Sequence, residues 1–245
     1  MTTLAALSVS PAVLEVMDGL PRRGVGMGHG YILLDDDVIA VTPPGRPRMP
    51  NGIETPVHVA AGDRVWLGGG ELALGRTRIG PGPLWDPVPV VQVQLAVEPA
   101  LAIDADALAG WGPGLTPLGD DLLVGYVAGL ALTGHDFAGL SKLAARAGRR
   151  TTSLSSALLR HAAHGALPEP AHALIERGDL EPLLLFGATS GSAIAVGLAA
   201  AVAATDRVAP CDRDRRWEVD LKLPGGPVRF VLRARSVALT PAARE

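Results

Sequence analysis

The sequence of 245 residues contains a single cysteine and few aromatic side chains. Because Cys211 has no second cysteine to pair with, we expect neither an internal disulfide nor a cysteine-rich metal site, and a reducing cytoplasm fits this usage. Aromatic residues make up 4% of the chain against 48% for all hydrophobic residues, so the core should consist mostly of Val, Leu, Ile and Ala. The net charge is only -3. Aspartates also interrupt the arginines of 213–216, which argues against a nucleic-acid partner.

The first residues also lack the features of a secretory leader. Residues 1–20 have no basic segment ahead of an apolar one, and Glu15 and Asp18 stand where a leader would be apolar. The longest uncharged run, 182–205, has the length of a membrane span. Small and polar residues at 187–192 interrupt it near its start. We therefore expect a buried helix in this run and no association with a membrane.

Short apolar segments bounded by Gly, Pro or Asp dominate the first 104 residues and predict strands. Residues 91–95 alternate between apolar and polar side chains, as a half-buried strand does. The three aspartates of 35–37 predict a hairpin turn. Many short strands with marked turns favour a β-rich region over 1–104 that is barrel- or sandwich-like. The predicted strands are 31–34, 38–41, 56–60, 64–67, 71–74 and 89–97.

After residue 105 the apolar pattern becomes helical, and at the end of the chain it returns to strands. A Gly225-Gly226 turn predicts a terminal hairpin. We therefore expect an α+β protein with a helical region over 105–210, which carries the glycine-rich motifs, and a C-terminal β-hairpin in 211–245 that returns to the sheet. The predicted helices are 104–108, 117–133, 137–147, 152–164, 168–177, 180–185 and 192–204; the final strands are 217–223 and 228–239.

The segment 112–121 is the most informative part of the chain, with the sequence Gly-Pro-Gly-Leu-Thr-Pro-Leu-Gly-Asp-Asp. Thr116 suits an N-cap and Pro117 the first position of a helix, whose free amides attract anions. Asp120 and Asp121 cannot face the same way on a helix. One is expected to face a site, for proton transfer, for Mg²⁺ or for a substrate amine, and the other to stabilise the helix dipole. A capped helix alone explains Thr116 and one aspartate, but not three glycines and a second aspartate.

A second glycine loop precedes the helix predicted at 192–204 and contains Thr189, Ser190, Gly191 and Ser192. Its hydroxyls and amides could hold a phosphate or carboxylate, whereas the alternative is a helix start capped by one of its serines. In both loops another glycine follows the last loop glycine by six residues, which makes a short internal echo. The loop lacks the lysine and the spacing of a phosphate-binding P-loop.

Three weaker features complete the candidate residues. Thr152 or Ser153 could cap a predicted helix that carries Ser155 on its first turn. Asn51 lies in a turn before a strand and could line a site, although a plain β-turn is the alternative. The glycine-rich segment 24–30, which includes His29, precedes a strand rather than a helix and so does not match a dinucleotide fingerprint. We find neither a nucleotide nor a zinc signature.

Residues 112–121 resemble the signature Gly-Leu-Thr-Pro-Ser-Gly-Asp-Asp of the AllH family. Further similarity lies in Thr152 with Ser155 and Ser156 ahead of 158–165, in 189–191 with a following glycine, and in 50–53. Together these matches extend from about residue 30 to 205. The sequence differs from the family pattern at Leu118, where the signature usually has Ser, and at 192–193, where relatives often have an acid nearby.

The resemblance implies a subunit of a bacterial oxamate carbamoyltransferase, which exchanges a carbamoyl group between oxalurate and phosphate in allantoin breakdown. It implies a small anionic substrate and partner subunits, while Mg²⁺ is the one cofactor considered. The alternative is a non-catalytic binding or assembly subunit of a multi-subunit metabolic enzyme. The expected catalytic residues are Asp120 and Asp121, either of which could hold a metal. The expected substrate-binding residues are Asn51, Gly114, Leu115, Thr116, Gly119, Thr152, Ser155, Thr189, Ser190, Gly191 and Ser192.

Overall fold

The computed structural model describes residues 2–35, 37–203 and 214–236. The predictions for Asp36, Ala204, Cys211 and residues 237–239 lie outside this part. The described residues of the first half form ten strands and one helix. The strands are β1 (Thr2–Ala5), β2 (Ser8–Val9), β3 (Arg22–Gly28), β4 (Tyr31–Leu34), β5 (Asp37–Thr42), β6 (Gly52–Glu54), β7 (Arg64–Gly68), β8 (Glu71–Leu74), β9 (Thr77–Gly80) and β10 (Val93–Glu98); the helix is α1 (Pro11–Asp18).

Nine of these strands form one curled sheet in the order β1-β9-β8-β7-β3-β4-β5-β6-β2. The first residues of the chain join its two edges. The Ala6 N–H donates to the Gly80 carbonyl beside β9, and the Leu7 N–H donates to the Glu54 carbonyl at the end of β6. Pairing both edges leaves few strand groups without partners. The prediction of a β-rich N-terminal half, barrel- or sandwich-like, is confirmed, and the strands form a large curled sheet.

The inside of this sheet is a core of its own. Val13 and Met17 on α1 are fully buried in a cluster with strand residues such as Leu67 and Leu72. Helix α1 begins at Pro11, where Ser10 caps it through its side-chain oxygen. The helix was not predicted because Glu15 and Asp18 were interpreted only as evidence against a leader.

The second half contains seven helices among the described residues, and each predicted helix is present with ends that differ from the prediction by at most two residues. They are α2 (Ala105–Leu108), α3 (Leu118–Leu132), α4 (Phe137–Gly148), α5 (Ser153–Ala162), α6 (Glu169–Arg177), α7 (Glu181–Leu184) and α8 (Ser190–Ala203). Buried apolar residues of these helices form one core that also includes Val38 and Ala40 of β5, so the helical half packs against this strand.

Helices α3 and α8 run side by side in the same direction. A Cβ on Gly125 would lie 2.1 Å from the Ile194 carbonyl oxygen, and a Cβ on Gly197 would lie 2.1 Å from the Leu122 carbonyl oxygen. The two contacts are equivalent: Gly125 corresponds to Gly197, and Leu122 to Ile194, at the same sequence separation that relates Gly119 to Gly191 in the two loops. Because glycine has no side chain, the two backbones can approach this closely, and the parallel course places both N-termini at the same end.

The C-terminal hairpin is present as predicted and consists of β11 (Asp214–Leu223) and β12 (Gly226–Ser236). Strand β12 pairs with β10, so the hairpin and β10 make a separate three-stranded sheet. The hairpin therefore returns to a strand of the first half but not to the nine-stranded sheet, which differs from the expectation. Phe230 and Leu232 of the hairpin are buried in the same core as the helices.

The strand predictions failed where glycine or proline hid the pattern. Residues 56–60 form no strand, and the glycine-rich segment after Arg22 is itself strand β3. Gly26 has no room for a side chain there, because a Cβ would lie 2.0 Å from the Ala60 carbonyl oxygen. Across the described residues, no helix has both the length and the hydropathy that crossing a membrane requires.

Candidate functional site

The loop before α3 meets the N-terminus of α8. Helix α3 begins at Leu118, and Pro117 is its N-cap without any side-chain hydrogen bond. The prediction that Thr116 caps this helix is therefore wrong. Thr116 does not cap the helix, and its hydroxyl is free to contact another residue. Its Oγ1 lies 3.3 Å from Oγ of Ser190, the first residue of α8. The two glycine loops thus converge through their hydroxyl groups.

A third helix N-terminus lies against the same loop. Thr152 caps α5 by accepting a hydrogen bond from the Ser155 N–H at 3.1 Å, which confirms the predicted cap. The Thr152 hydroxyl also donates to the Leu115 carbonyl at 2.7 Å. The starts of α3, α5 and α8 therefore surround one loop, and their dipoles bring positive potential to it.

Asp120 holds this loop together. Its Oδ1 accepts a hydrogen bond from the Gly110 N–H at 2.7 Å, and its Oδ2 accepts one from the Thr151 hydroxyl. The residue is 0% exposed. Both oxygens of its carboxylate thus have donors from two different loops, and the side chain ties the start of α5 to the start of α3.

Asp121 has different surroundings although it is the next residue. It is 2% exposed, and its Oδ2 has no hydrogen-bond partner among the described residues. The pKa of its carboxyl is raised to about 7, mainly because the group is buried. Hydrogen bonds from the Ser190 and Thr116 hydroxyls lower this pKa in part, and the negative charge of Asp120 raises it further. The group therefore changes protonation near neutral pH, as a general acid or base requires.

Tyr31 belongs to this site although no sequence signal marked it. It lies on β4 opposite Ala40 of β5, on the face that packs against the helical half. Burial raises the pKa of its phenol, and the negative charge of Asp121 raises it further. The sheet half thus contributes a phenolic hydroxyl within electrostatic reach of Asp121.

The predicted loop glycines serve packing more than ligand contact. A Cβ on Gly119 would lie 2.1 Å from the Leu108 carbonyl oxygen, and one on Gly191 would lie 1.6 Å from the Leu183 carbonyl oxygen. The N–H groups of both glycines already donate to backbone carbonyls. Gly114 differs, because it is exposed and has a φ of 109°, a backbone conformation that favours glycine.

The remaining predicted residues divide by burial. Asn51 and Ser155 are each 1% exposed, and Oδ1 of Asn51 and Oγ of Ser155 have no hydrogen-bond partner among the described residues. The other end of the Asn51 amide donates to the Val38 carbonyl at 2.5 Å. Leu115 is exposed and contributes its backbone carbonyl to the hydrogen bond from Thr152. Thr189 is exposed and Ser192 is half-buried, and no side-chain contact assigns either of them a role.

The residues present do not fit a magnesium ion. Mg²⁺ takes an octahedral shell of oxygen ligands, whereas both oxygens of Asp120 accept protein hydrogen bonds. In the described ranges, no three His, Cys, Asp or Glu side chains are grouped so that they could hold a metal.

The arginines nearest to the loops in the sequence are paired with carboxylates. Arg160 pairs with Asp37 at 2.9 Å and Arg150 with Asp106 at 3.5 Å.

Comparison with protein families gives one match. The family described as oxamate carbamoyltransferase subunit AllH matches residues 108–202. The resemblance to AllH is thereby confirmed. The match contains the loop before α3, the start of α5 and the start of α8, but it covers less than half of the chain and does not include Asn51 or Tyr31. The comparison with curated proteins found no match, and the comparison with solved structures found none.

Proposed function

We propose that this chain is a subunit of a carbamoyltransferase and that it binds small anions of the oxamate, oxalurate and carbamoyl phosphate class between the starts of α3 and α8. The observation that carries the proposal is Asp121, a buried carboxyl with a pKa near 7 and an unpartnered oxygen. The hydroxyls of Thr116 and Ser190 lie beside it. The family description of residues 108–202 supports the same chemistry.

The ligand's negative charge is received by the helix dipoles and by the protonated form of Asp121. Thr116 and Ser190 hydrogen-bond to the Asp121 carboxyl, which leaves Oδ2 as the oxygen that carries the proton. An Oδ2–H group pointing into the site donates a hydrogen bond to an oxygen of the bound anion. An anion therefore binds best to the protonated form, and its affinity falls as pH rises through about 7.

The same group supplies the proton that carbamoyl transfer requires. When phosphate oxygen attacks the carbamoyl carbon of oxalurate, a C–O bond forms and the C–N bond to the oxamate moiety breaks. Asp121 protonates the departing nitrogen, and the hydroxyl proton of the phosphate monoanion or dianion replaces the one lost. General acid–base assistance of this kind contributes roughly a hundredfold to ten-thousandfold to rate. Asp120, whose oxygens hold two loops, positions Asp121 and does not react.

Calorimetric titration of the full chain with oxamate, oxalurate and carbamoyl phosphate at pH 6 and pH 8 tests the proposal. Tighter binding at pH 6 supports it, and Asp121→Asn should abolish the pH dependence because an amide does not titrate. Ser190→Ala should weaken binding roughly fivefold to tenfold, since it removes one hydrogen bond to the site. Ser141→Ala, on α4 away from the loops, is the matched control. No binding of any of the three anions at either pH would remove the substrate assignment.

The shortage of cations at the site favours a second candidate, in which the chain is a non-catalytic assembly subunit. Neither glycine loop contains Arg or Lys, and Arg150 and Arg160 pair with aspartates elsewhere. A dianion such as carbamoyl phosphate usually needs cationic charge, which a partner subunit would then provide. An Asp120→Asn, Asp121→Asn double variant in a reconstituted complex separates the two candidates, because full activity of the complex would favour assembly.

A further inference from the structure

A cavity lies on the sheet half, outside the segment that matches the family. It has a volume of about 330 Å³ and is lined by residues of the β3–β4 turn, of β5 and of the segment that follows β6. Its floor consists of valine, proline and alanine side chains. The polar groups are few: the imidazoles of His29 and His58, the Arg46 guanidinium, and the hydroxyls of Thr42 and Tyr31. Ligand sites commonly combine an apolar wall with a few polar groups in this way.

The charge of this cavity is one-sided. None of the described residues that line it is acidic, and no described carboxylate lies within ion-pairing distance of Arg46. Each imidazole donates at least one N–H whether or not the ring is charged. Oγ1 of Thr42 is buried and has no partner among the described residues. The polar groups that line the cavity are therefore mostly hydrogen-bond donors, which suits a ligand that carries acceptors.

A neighbouring cleft differs from this cavity because its arginines lie beside glutamates. That cleft, of about 780 Å³, also includes Arg46 but contains three glutamates beside its three arginines. Arg48 pairs with Glu169 at 2.5 Å and lies over the Trp85 ring at 5.1 Å. Arg177 also pairs with Glu176 at 3.7 Å, so the charges of two of its three arginines are neutralised within the cleft. The smaller cavity has no such compensation.

His29 is held at the cavity in a conformation that a histidine rarely adopts. Its φ is 54°, and Gly28 and Gly30 on either side have φ values of 85° and 79°. Asparagine, like histidine, adopts positive φ more often than most residues other than glycine, so His29→Asn removes the imidazole and preserves the turn.

We infer that this cavity binds an organic anion with an apolar body, a carboxylate or a phosphate monoester, whose charge is held by Arg46, His29 and His58. The apolar body lies on the valine and proline floor, which a bare inorganic anion would leave without contacts. The inference does not depend on the function proposed for Asp121. Tyr31 lines this cavity and is also within the electric field of Asp121, so the two sites are neighbours across the same strand.

The test uses three probes of similar shape on the full chain: benzoate, phenyl phosphate and the neutral benzamide. Binding is measured by protein-detected NMR titration, in which shifts at residues 28–31 and 56–59 locate the probe. We expect at least one of the anions to bind, and the better of the two identifies carboxylate or phosphate as the preferred group. Benzamide should bind roughly tenfold more weakly or worse, because it lacks a charge for Arg46.

Three variants assign the binding to the cavity. Arg46→Gln should weaken the better anion roughly tenfold, and His29→Asn with His58→Gln should weaken it by a similar factor. Arg76→Gln, an exposed arginine in a turn of the same half, is the matched control and should bind normally. Equal binding of benzamide, unchanged binding by Arg46→Gln, or no shifts at these residues with either anion would overturn the inference.

Discussion

The starts of α3 and α8 have the same architecture but different chemistry. Each follows a glycine loop, each has a glycine packed against a neighbouring carbonyl, and each has another glycine six residues later where the helices touch. The α3 start buries two carboxyls, Asp120 and Asp121, whereas the α8 start presents the hydroxyl of Ser190. The repeated glycines therefore fix how close the helices lie, and the residues that differ supply the acid and the donors of the site.

The largest predicted effect concerns Asp121, the buried acid at the start of α3. The pKa of Asp121 is raised from 3.8 to about 7 in the folded chain. Its contribution to stability is therefore fully present below pH 4 and is lost as pH rises through 7. Asp121→Asn does not titrate. Relative to wild type it should gain stability between pH 5 and pH 8, by at most about 4 kcal/mol.

Urea unfolding of both proteins at pH 5, 6, 7 and 8 measures this difference. Asp104→Asn is a suitable control, because Asp104 caps the short helix α2 in a more exposed position. A constant difference between Asp121→Asn and wild type over the whole range would show that Asp121 has an ordinary pKa.

The next largest effect tests the shared glycines. Gly197→Ala places a Cβ 2.1 Å from the Leu122 carbonyl oxygen and should force α3 and α8 apart, which costs about 3 kcal/mol. Gly139→Ala is the matched control on α4, where the nearest neighbour of a Cβ lies 3.5 Å away. There alanine should be neutral or stabilise by up to about 1 kcal/mol through helix propensity. Equal unfolding free energies for the two variants would contradict the close packing.

A smaller effect tests the contrast between the neighbouring aspartates. Asp120→Asn replaces an oxygen that accepts from Gly110 or Thr151 by an amide that donates, so it should destabilise the fold by about 2 kcal/mol. Unlike Asp121→Asn, it should lower stability at pH 8 as well as at pH 5. Thermal unfolding at both values provides the readout. A gain in stability at pH 8 would mean that the roles of the two carboxyls are reversed.

The smallest effect concerns the third helix start. Thr152→Ala removes the cap of α5 and the hydrogen bond to Leu115, at a cost of about 1 kcal/mol. Thr152→Ser retains the hydroxyl and should recover most of this loss. If alanine and serine give the same melting temperature, the bond from α5 to the loop contributes nothing.

Much of this arrangement follows from local sequence patterns. The helices were predictable because apolar residues recur with helical spacing and caps such as Thr152 mark their starts. Thr116 was misassigned because a threonine before a proline has the composition of a cap, while its actual partner, Ser190, is 74 positions away. Local patterns carry no information on such pairs.

The site was predictable in part for the same reason. The loop motif marked both aspartates, but which carboxyl faces donors depends on Gly110 and Thr151, and these are brought near only by packing. Tyr31 was missed because it occupies an ordinary strand position, and its nearness to Asp121 depends on how the sheet lies against the helices. Strand β3 was missed since its glycine-rich sequence resembles a loop.

The most direct test is an NMR titration of the Asp121 side-chain carboxyl carbon in the full chain, with and without oxamate. The account predicts a midpoint near pH 7 in the free protein, as burial requires, and a higher midpoint with oxamate, because a bound anion favours the protonated acid. A midpoint near 4, or one that saturating oxamate leaves unchanged, would contradict the claim that the converging helix starts form an anion site around this residue.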